Sequence, residues 1–227
     1  MFELFNPQVA VENIGPLLGG LVMTVELTLV VIVLSLIFAL FVTLAGMSRI
    51  TPLRWVMKSY IEVIRGTPLL LQLIYVYYVL PSIGIRLDPF AAGVLALTLN
   101  YSAYISEVYR GGIQAMPRGQ HDAAAALGMT HALAMRRIIL PQAIRIVIPT
   151  LGNYFIGLFK DTALASAVSI QELVYTAQVR AALSYQYFTL YTVVAVMYFA
   201  VSFPAARLVS YLERVTRAGY GRRRAAR

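Results

Sequence analysis

Long apolar stretches without charged residues constrain the fold of this chain more than any other feature. A helix that crosses a bilayer needs about 20 mostly apolar residues, and an Asp, Lys or Arg at its centre costs about 2.5 to 3.5 kcal/mol. Hydrophobic residues make up 59% of the 227 residues and charged residues 13%. A soluble domain of this length cannot bury so much apolar surface. The sequence therefore predicts an all-α integral membrane protein.

Long apolar intervals, charge-free except for Glu26 in the first, predict about five transmembrane helices. They run from Gly20 to Met47, from Gly66 to Leu80, from Pro89 to Ser106, onward from Arg145, and between Arg180 and Arg207. The fourth interval meets Lys160-Asp161 after only 14 uncharged residues, so we expect a broken or short span there.

Basic residues predict the orientation, because Lys and Arg concentrate in short cytoplasmic loops. Most of them follow the first, third and fifth predicted spans, which leaves only Arg86, Lys160 and Arg180 for the other side. The amino terminus is therefore predicted outside and the carboxyl terminus inside. A cleaved signal peptide is not expected, because no basic residue precedes the first apolar run and that run is longer than a signal core.

The net charge of +9 does not indicate nucleic-acid binding, because membrane topology alone produces this distribution along inner loops. We expect the run Arg222 to Arg224 to contact anionic lipid headgroups. The absence of cysteine excludes disulfides and thiolate metal sites. With no internal repeat or low-complexity linker, residues 1–227 are predicted to form one domain.

A polar, helix-prone segment at about residues 111–144, here called the coupling loop, interrupts the apolar pattern. Pro117 can begin a helix, and Asp122 is predicted in its first turn, where a carboxylate complements the helix dipole. Ala123 to Ala126 favour helix, and Gly128 suits a left-handed stop.

A second short helix is predicted after this glycine elbow. Thr130 can cap it, and Pro141 is expected to close it after Leu140. From physical chemistry alone, Arg136 and Arg137 also fit an amphipathic hairpin that lies on the membrane surface.

The spacing within the loop is more specific. It reads Asp122-Ala123-Ala124, then three residues, Gly128, nine residues, Ile138, one residue and Leu140-Pro141. This pattern resembles the EAA loop of ABC importer permeases. Asp122 stands where that family usually has glutamate, which shortens its reach by one methylene. Other segments resemble the polar amino-acid uptake family, of the histidine and glutamine permease type, over roughly Val22 to Arg214. These are Glu62-Val63-Ile64-Arg65-Gly66-Thr67-Pro68, Tyr104-Ile105-Ser106-Glu107, Arg110-Gly111, Gly119-Gln120, Ala126-Leu127-Gly128-Met129 and Lys160-Asp161-Thr162.

The resemblance implies a type I ABC importer transmembrane fold in the bacterial cytoplasmic (inner) membrane. Two membrane subunits, either two copies of this chain or the chain and a paralogue, would pair with an ABC ATPase dimer inside and a substrate-binding protein outside. Asp122, Ala123, Ala124 and Gly128 would couple the chain to the ATPase. The chain has no G-x-x-x-x-G-K-[ST] phosphate loop, so ATP and Mg are expected to bind the partner ATPase. The chain itself is predicted to be a permease subunit that has no enzymatic activity and binds no cofactor.

Polar residues inside spans are the candidates for a substrate site, because they are costly there and tend to face an aqueous path. Asn100, Tyr104 and Glu107 recur at i, i+4 and i+7, which places them on one helical face. For Asn100 and Tyr104 a purely structural role is the alternative. For Glu107 the alternative is a local pair with Arg110.

Pro68 predicts a helix break in the second span, and Thr67 and Gln72 near it either line a path or bond a neighbouring helix. If this helix begins near Pro52, Glu62 and Arg65 are expected to form an ion pair. If it begins at Gly66, the break lies at the interface.

The adjacent charges Lys160 and Asp161 cannot face each other on a helix, so each needs its own partner. Asp161 is a candidate to receive the ammonium group of a zwitterionic substrate, with backbone amides or Lys160 meeting its carboxylate. A structural ion pair with another span is the alternative. Ser166 keeps the following segment polar and is included in the predicted site.

Two other classes of function fit the sequence less well. An integral-membrane enzyme lacks support, since there is no H-E-x-x-H pattern and His121 and His131 have no carboxylate pattern suited to a metal. A channel or scaffold subunit without ATP coupling fits the polar span faces, but neither needs the segment from Asp122 to Pro141. The sequence therefore favours an ATP-driven importer of a polar amino acid or a related small zwitterion.

Overall fold

The structure, a computed structural model, describes residues 5–224 and the side chains of residues 5–215, and all regular structure in that part is helical. The predicted lipid contact of Arg222 to Arg224 lies outside the described side chains. The α-helices are α1 (Pro7–Gly46), α2 (Thr51–Arg65), α3 (Leu69–Ile74), α4 (Pro89–Gln114), α5 (Arg118–Ala126), α6 (His131–Ala134), α7 (Leu140–Asp161), α8 (Leu173–Ser184) and α9 (Tyr187–Arg224). A π segment (Tyr75–Val79) and a 3₁₀ segment (Leu80–Ile83) extend α3.

Helices α1 and α4 run parallel along one another. The Ser35 hydroxyl donates to the Thr98 carbonyl at 3.5 Å, and eight residues further on the Thr43 hydroxyl donates to the Ser106 carbonyl at 3.1 Å. The separation in sequence is 63 residues in both bonds, which fixes the register of the pair. Leu27, Leu97 and Leu158 are fully buried in the core that α1, α4 and α7 share.

Helix α7 runs antiparallel to α4 and to α9, and glycines let these helices approach closely. A Cβ atom on Gly112 of α4 would come within 2.3 Å of a Val147 methyl on α7. A Cβ atom on Gly152 of α7 would come within 2.6 Å of a Val209 methyl on α9. Helix α8 packs against the first half of α1, where the Leu173 amide donates to the Thr24 hydroxyl at 3.1 Å.

Three helical segments of the described chain are long and apolar enough to cross a membrane: Pro7–Gly46, His131–Val168 and Tyr187–Val215. A fourth span results if Thr51–Arg65 and Leu69–Ile83, which meet at an angle of 106°, count as one broken helix. The predicted third span corresponds to α4. This helix is long enough to cross a membrane, but its polar side chains lower its mean hydropathy. An all-helical membrane protein is thus confirmed, while the count of five spans stays a prediction.

The expected stop at Pro141 is wrong, because the chain continues as a helix from the coupling loop into the membrane span. A π segment, Met135–Ile139, joins α6 to α7, and the Leu140 amide bonds to the Met135 carbonyl five residues back. Pro141 then lies in the first turn of α7, where a missing N–H is tolerated. The fourth span is therefore neither short nor broken before Asp161, and a 3₁₀ segment, Thr162–Val168, continues it.

Candidate functional site

The break between α2 and α3 is held by side chains that bond the freed carbonyls. Helix α2 begins at Thr51, so the break at Gly66 to Pro68 follows its carboxyl-terminal end. The Thr67 hydroxyl donates to the Val63 carbonyl at 2.9 Å. The Gln72 side-chain amide donates to the Ile64 carbonyl at 2.8 Å and to the Thr67 carbonyl at 3.2 Å. Pro68 has no backbone N–H that could bond a carbonyl of the preceding turn, so these side-chain hydrogen bonds fix the bend instead.

The bend opens into a cavity of about 560 Å³, here called the central cavity. It is bounded by the break, by the polar face of α4 and by α7. Its lining residues are Arg65, Gly66, Thr67, Pro68, Leu69, Asn100, Tyr101, Tyr104, Tyr154 and Asp161. The structure therefore brings together four of the residues predicted from sequence: Thr67, Asn100, Tyr104 and Asp161.

Charges of both signs line the central cavity. The Asp161 carboxylate accepts a hydrogen bond from the Tyr101 hydroxyl at 2.7 Å. The Arg65 guanidinium lies 5.2 Å from the centre of the Tyr104 ring, which is within the range of a cation–π contact. A small zwitterion requires an anionic and a cationic partner, and this cavity offers one of each.

Arg65 also lines the central cavity but is not among the candidate site residues that the sequence predicts. The expected ion pair between Glu62 and Arg65 is wrong. The Glu62 carboxylate lies 3.6 Å from the Lys58 ammonium group, one turn earlier on α2. The Arg65 guanidinium lies 3.9 Å from the Glu107 carboxylate on α4. The signal that could have found it is its place directly before Gly66-Thr67-Pro68, because a residue at the end of a broken helix borders the opening. Glu107 also bonds Arg110 at 2.9 Å, which confirms the local pair.

Two predicted site residues do not line the central cavity. Gln72 bonds the break, and its side-chain oxygen accepts from the Asn100 amide at 3.0 Å. Ser166 lies in the 3₁₀ segment after α7, away from the lining residues. Lys160 is exposed and points away from the cavity that Asp161 enters, as expected for neighbours on a helix.

In the coupling loop, Gly128 forms the elbow that the sequence predicts. Its φ is +69°, in the left-handed region, and no atom would contact a Cβ there. The Met129 amide bonds to the Ala124 carbonyl and the Gly128 amide to the Ala125 carbonyl, which is the Schellman end of a helix. Thr130 caps the next helix through the Leu133 amide at 3.4 Å.

The face of α5 that is open to a partner differs in part from the predicted one. Asp122 and Ala123 are exposed, whereas Ala124 is only 1% exposed and packs within the loop. Leu127 is 78% exposed. Asp122 is not in the first turn, because α5 begins at Arg118. It therefore does not complement the helix dipole as expected, and its carboxylate is left free for another contact.

The loop is tied to α7 and carries no metal site in the described part of the chain. The Gln142 amide donates to the Gln120 side-chain oxygen at 3.2 Å, which joins α5 to α7. The rings of His121 and His131 stack 6.4 Å apart. The described side chains, those of residues 5–215, contain no group of three or more His, Cys, Asp or Glu that could hold a metal ion.

A bent membrane helix, a cavity lined by charges of both signs and an exposed two-helix loop are the main features of the described structure. Residues 32–218 match the model of the family described as binding-protein-dependent transport system inner membrane component. The chain belongs to this family.

Curated relatives match over most of their length. The chain is 42% identical over 205 residues to an L-cystine transport system permease protein of Bacillus subtilis, covering 89% of this chain and 88% of the relative. It is 37% identical to a probable glutamine ABC transporter permease protein of the same organism, covering 92% and 97%. Identity to a glutamate/aspartate import permease protein of Escherichia coli is 34%, with coverage of 95% and 100%.

Solved structures share the fold. The chain is similar to the crystal structure of an amino acid ABC transporter with histidines, with a TM-score of 0.87 and 43% identity, covering 90% of this chain and 95% of that one. An inward-facing methionine ABC transporter matches with a TM-score of 0.71 and 17% identity, covering 88% and 98%. The second likeness supports the fold alone.

Proposed function

We propose that this chain is the transmembrane subunit of an ATP-driven importer that moves a polar amino acid or a related small zwitterion into the cell. The observation that carries the proposal is the central cavity, in which Arg65 and Asp161 supply opposite charges. Its volume of about 560 Å³ falls within the range of small-molecule sites, about 300 to 1,000 Å³. The names of the relatives, which include cystine, glutamine and glutamate/aspartate systems, support the amino-acid class.

Five of the lining residues have a role in this proposal. Asp161 receives the ammonium group, and Arg65 receives the carboxylate that the sequence had assigned to backbone amides or Lys160. Thr67, Asn100 and Tyr104 offer polar groups to the rest of the substrate. Gln72 supports the site by holding the break, and Ser166 is assigned no contact because it lies away from the cavity.

The coupling loop is proposed to dock on an ABC ATPase dimer through Asp122, Ala123 and Gly128, with Leu127 as an apolar anchor. Ala124 supports this surface from inside. ATP and Mg act on the ATPase, and this chain performs no hydrolysis. Binding and hydrolysis of ATP would move the loop, and the continuous helical run of residues 131–168 would carry the motion to Asp161.

We propose the remaining parts of the transporter by analogy with the family. A second permease subunit, the same chain or a paralogue, pairs with this one in the bacterial inner membrane. A substrate-binding protein delivers ligand outside, where the amino terminus lies, and the coupling loop and the carboxyl terminus lie inside.

The proposal is tested by uptake into proteoliposomes with the ATPase and binding protein encoded beside this gene. A panel of L-cystine, L-glutamine, L-arginine and L-glutamate supplies candidate substrates. Asp161→Asn is expected to raise the KM at least about tenfold, because a hydrogen bond to a charged group contributes about 1.5 to 3 kcal/mol. Lys160→Gln is the matched control, since that neighbour is exposed outside the cavity. Equal effects of the two variants would remove Asp161 from the site.

A channel without ATP coupling is the competing function, and the same vesicles distinguish it. An importer accumulates substrate only with ATP, whereas a channel equilibrates it without ATP. Substrate flux in ATP-free vesicles at the rate seen with ATP would reject the importer.

A further inference from the structure

A second cavity, of about 380 Å³, lies between the end of α1, the whole of α2 and the end of α4. We call it the basic cavity. Basic side chains from α2 and α4 line it, together with two carboxylates and small groups from α1. The charged residues are Arg54, Lys58, Glu62, Arg65, Glu107 and Arg110. It meets the central cavity only at Arg65, which lines both.

Positive charge exceeds negative charge in the basic cavity, with four cations against two carboxylates. Each carboxylate already has a partner: Glu62 lies 3.6 Å from Lys58, and Glu107 is bonded by Arg110. Among the described residues, no carboxylate lies within ion-pairing distance of Arg54. The cavity therefore retains an excess of two positive charges and fits an anion.

Part of the border of the basic cavity is apolar and exposed. Trp55, the only tryptophan of the chain, is 61% exposed and adjoins Arg54. Lys58 lies over its ring at 5.5 Å from the centre. The opposite face of α2 packs on the chain, where the Tyr60 hydroxyl bonds the Leu99 carbonyl at 2.6 Å, so Trp55 is left exposed beside the charged face.

Tryptophan and basic residues of this kind concentrate where a bilayer meets water. A basic pocket between membrane helices is suited to an anionic headgroup, while exposed apolar side chains beside it are suited to acyl chains. A free phosphate would satisfy the cations but would leave the apolar border uncovered.

We propose that the basic cavity binds the headgroup of an anionic phospholipid. Its phosphate interacts with Arg54 and Lys58, and an acyl chain covers Trp55. The site lies on the side where α1 ends and α2 begins, which is the side of the predicted inner leaflet. The lipid thereby contacts the helix that ends at Arg65 and the break.

The test is native mass spectrometry of the complete transporter in detergent, with phosphatidylglycerol or phosphatidylcholine titrated in. Saturable retention of phosphatidylglycerol over phosphatidylcholine is expected. The double variant Arg54→Gln, Lys58→Gln is expected to weaken retention about 30-fold, since each basic residue contributes about 1 kcal/mol to the attraction of anionic lipid. Arg54→Lys, which keeps the charge, should retain most of the binding.

The matched control is the double variant Arg86→Gln, Arg180→Gln, which removes the same charge from exposed positions outside this cavity. It should bind phosphatidylglycerol as the parent does. Equal losses in the two double variants, or undiminished binding in the first, would overturn the proposal. So would equal retention of phosphatidylcholine. Displacement of the lipid by excess sodium phosphate would show a site for free phosphate instead.

Discussion

The side-chain amide of Gln142 donates to the side-chain oxygen of Gln120 across 3.2 Å and thereby joins α5 of the coupling loop to α7. Gln142 also donates to the Ile138 carbonyl on its own helical run, so its orientation is fixed. Helix α7 has 22 residues and is therefore about 33 Å long, and Asp161 ends it. A displacement of α5 thus has a direct route to the far end of α7, where the central cavity lies.

Replacing Gln120 by Ala is expected to weaken coupling while leaving the fold intact. The variant removes one neutral hydrogen bond, which contributes about 1 kcal/mol, so coupled transport should fall by up to about fivefold. Gln120→Glu keeps the acceptor oxygen and should behave like the parent. The measurement is the number of substrate molecules imported per ATP hydrolysed in proteoliposomes. An unchanged ratio in Gln120→Ala would show that motion reaches α7 by another path.

Gly128 is expected to tolerate asparagine but not valine. Its φ of +69° is costly for a branched residue, by about 1 to 2 kcal/mol, whereas asparagine adopts this region more readily. A Cβ atom meets nothing there, so only the backbone conformation distinguishes the two variants. Gly128→Val should reduce copurification of the ATPase several-fold, and Gly128→Asn should retain it. Equal retention by both would mean that the elbow does not shape the docking surface.

Features set by local backbone chemistry were predictable from the sequence. Gly128 and the Thr130 cap follow from which residues tolerate left-handed geometry or bond a free amide. The break at Gly66 to Pro68 follows from the missing N–H of proline. Each depends on only a few neighbouring residues, and tertiary contacts did not override them.

Features that depend on packing between helices were not predictable. Arg65 enters the central cavity because α2 bends away from α3 and lies beside α4, which places Glu107 within reach. Spacing along α2 alone had favoured Glu62 as its partner. The helix runs through Pro141 because a π turn precedes it, and apolar periodicity carries no signal for such a turn. Asn100, Tyr104 and Asp161 were foreseeable candidates because polar residues in apolar spans are uncommon.

Gly112 is expected to be a packing position that admits no side chain. A Cβ atom there would lie 2.3 Å from a Val147 methyl, so Gly112→Ala should destabilise the subunit by about 1 to 3 kcal/mol. Gly111→Ala, one residue earlier and with nothing within 4 Å, should be neutral or stabilising. Adding Val147→Ala to Gly112→Ala should restore part of the loss. Thermal unfolding in detergent measures all three, and a Gly112→Ala variant as stable as the Gly111→Ala variant would contradict close packing of α4 on α7.

Gln72 is expected to hold the bend between α2 and α3. Gln72→Leu removes the donor to the Ile64 and Thr67 carbonyls and the acceptor for Asn100, and leaves these groups partly buried without that partner. An unsatisfied buried group costs about 1 to 3 kcal/mol, so the variant should lower both the unfolding temperature and the maximal uptake rate. Gln72→Glu keeps the acceptor for Asn100 and should lose less. Gln114→Leu is the control, because that glutamine is exposed at the end of α4 and bonds only Arg110; its stability should change by less than about 0.5 kcal/mol. If Gln72→Leu is no less stable than Gln114→Leu, the bend is held by Pro68 and packing alone.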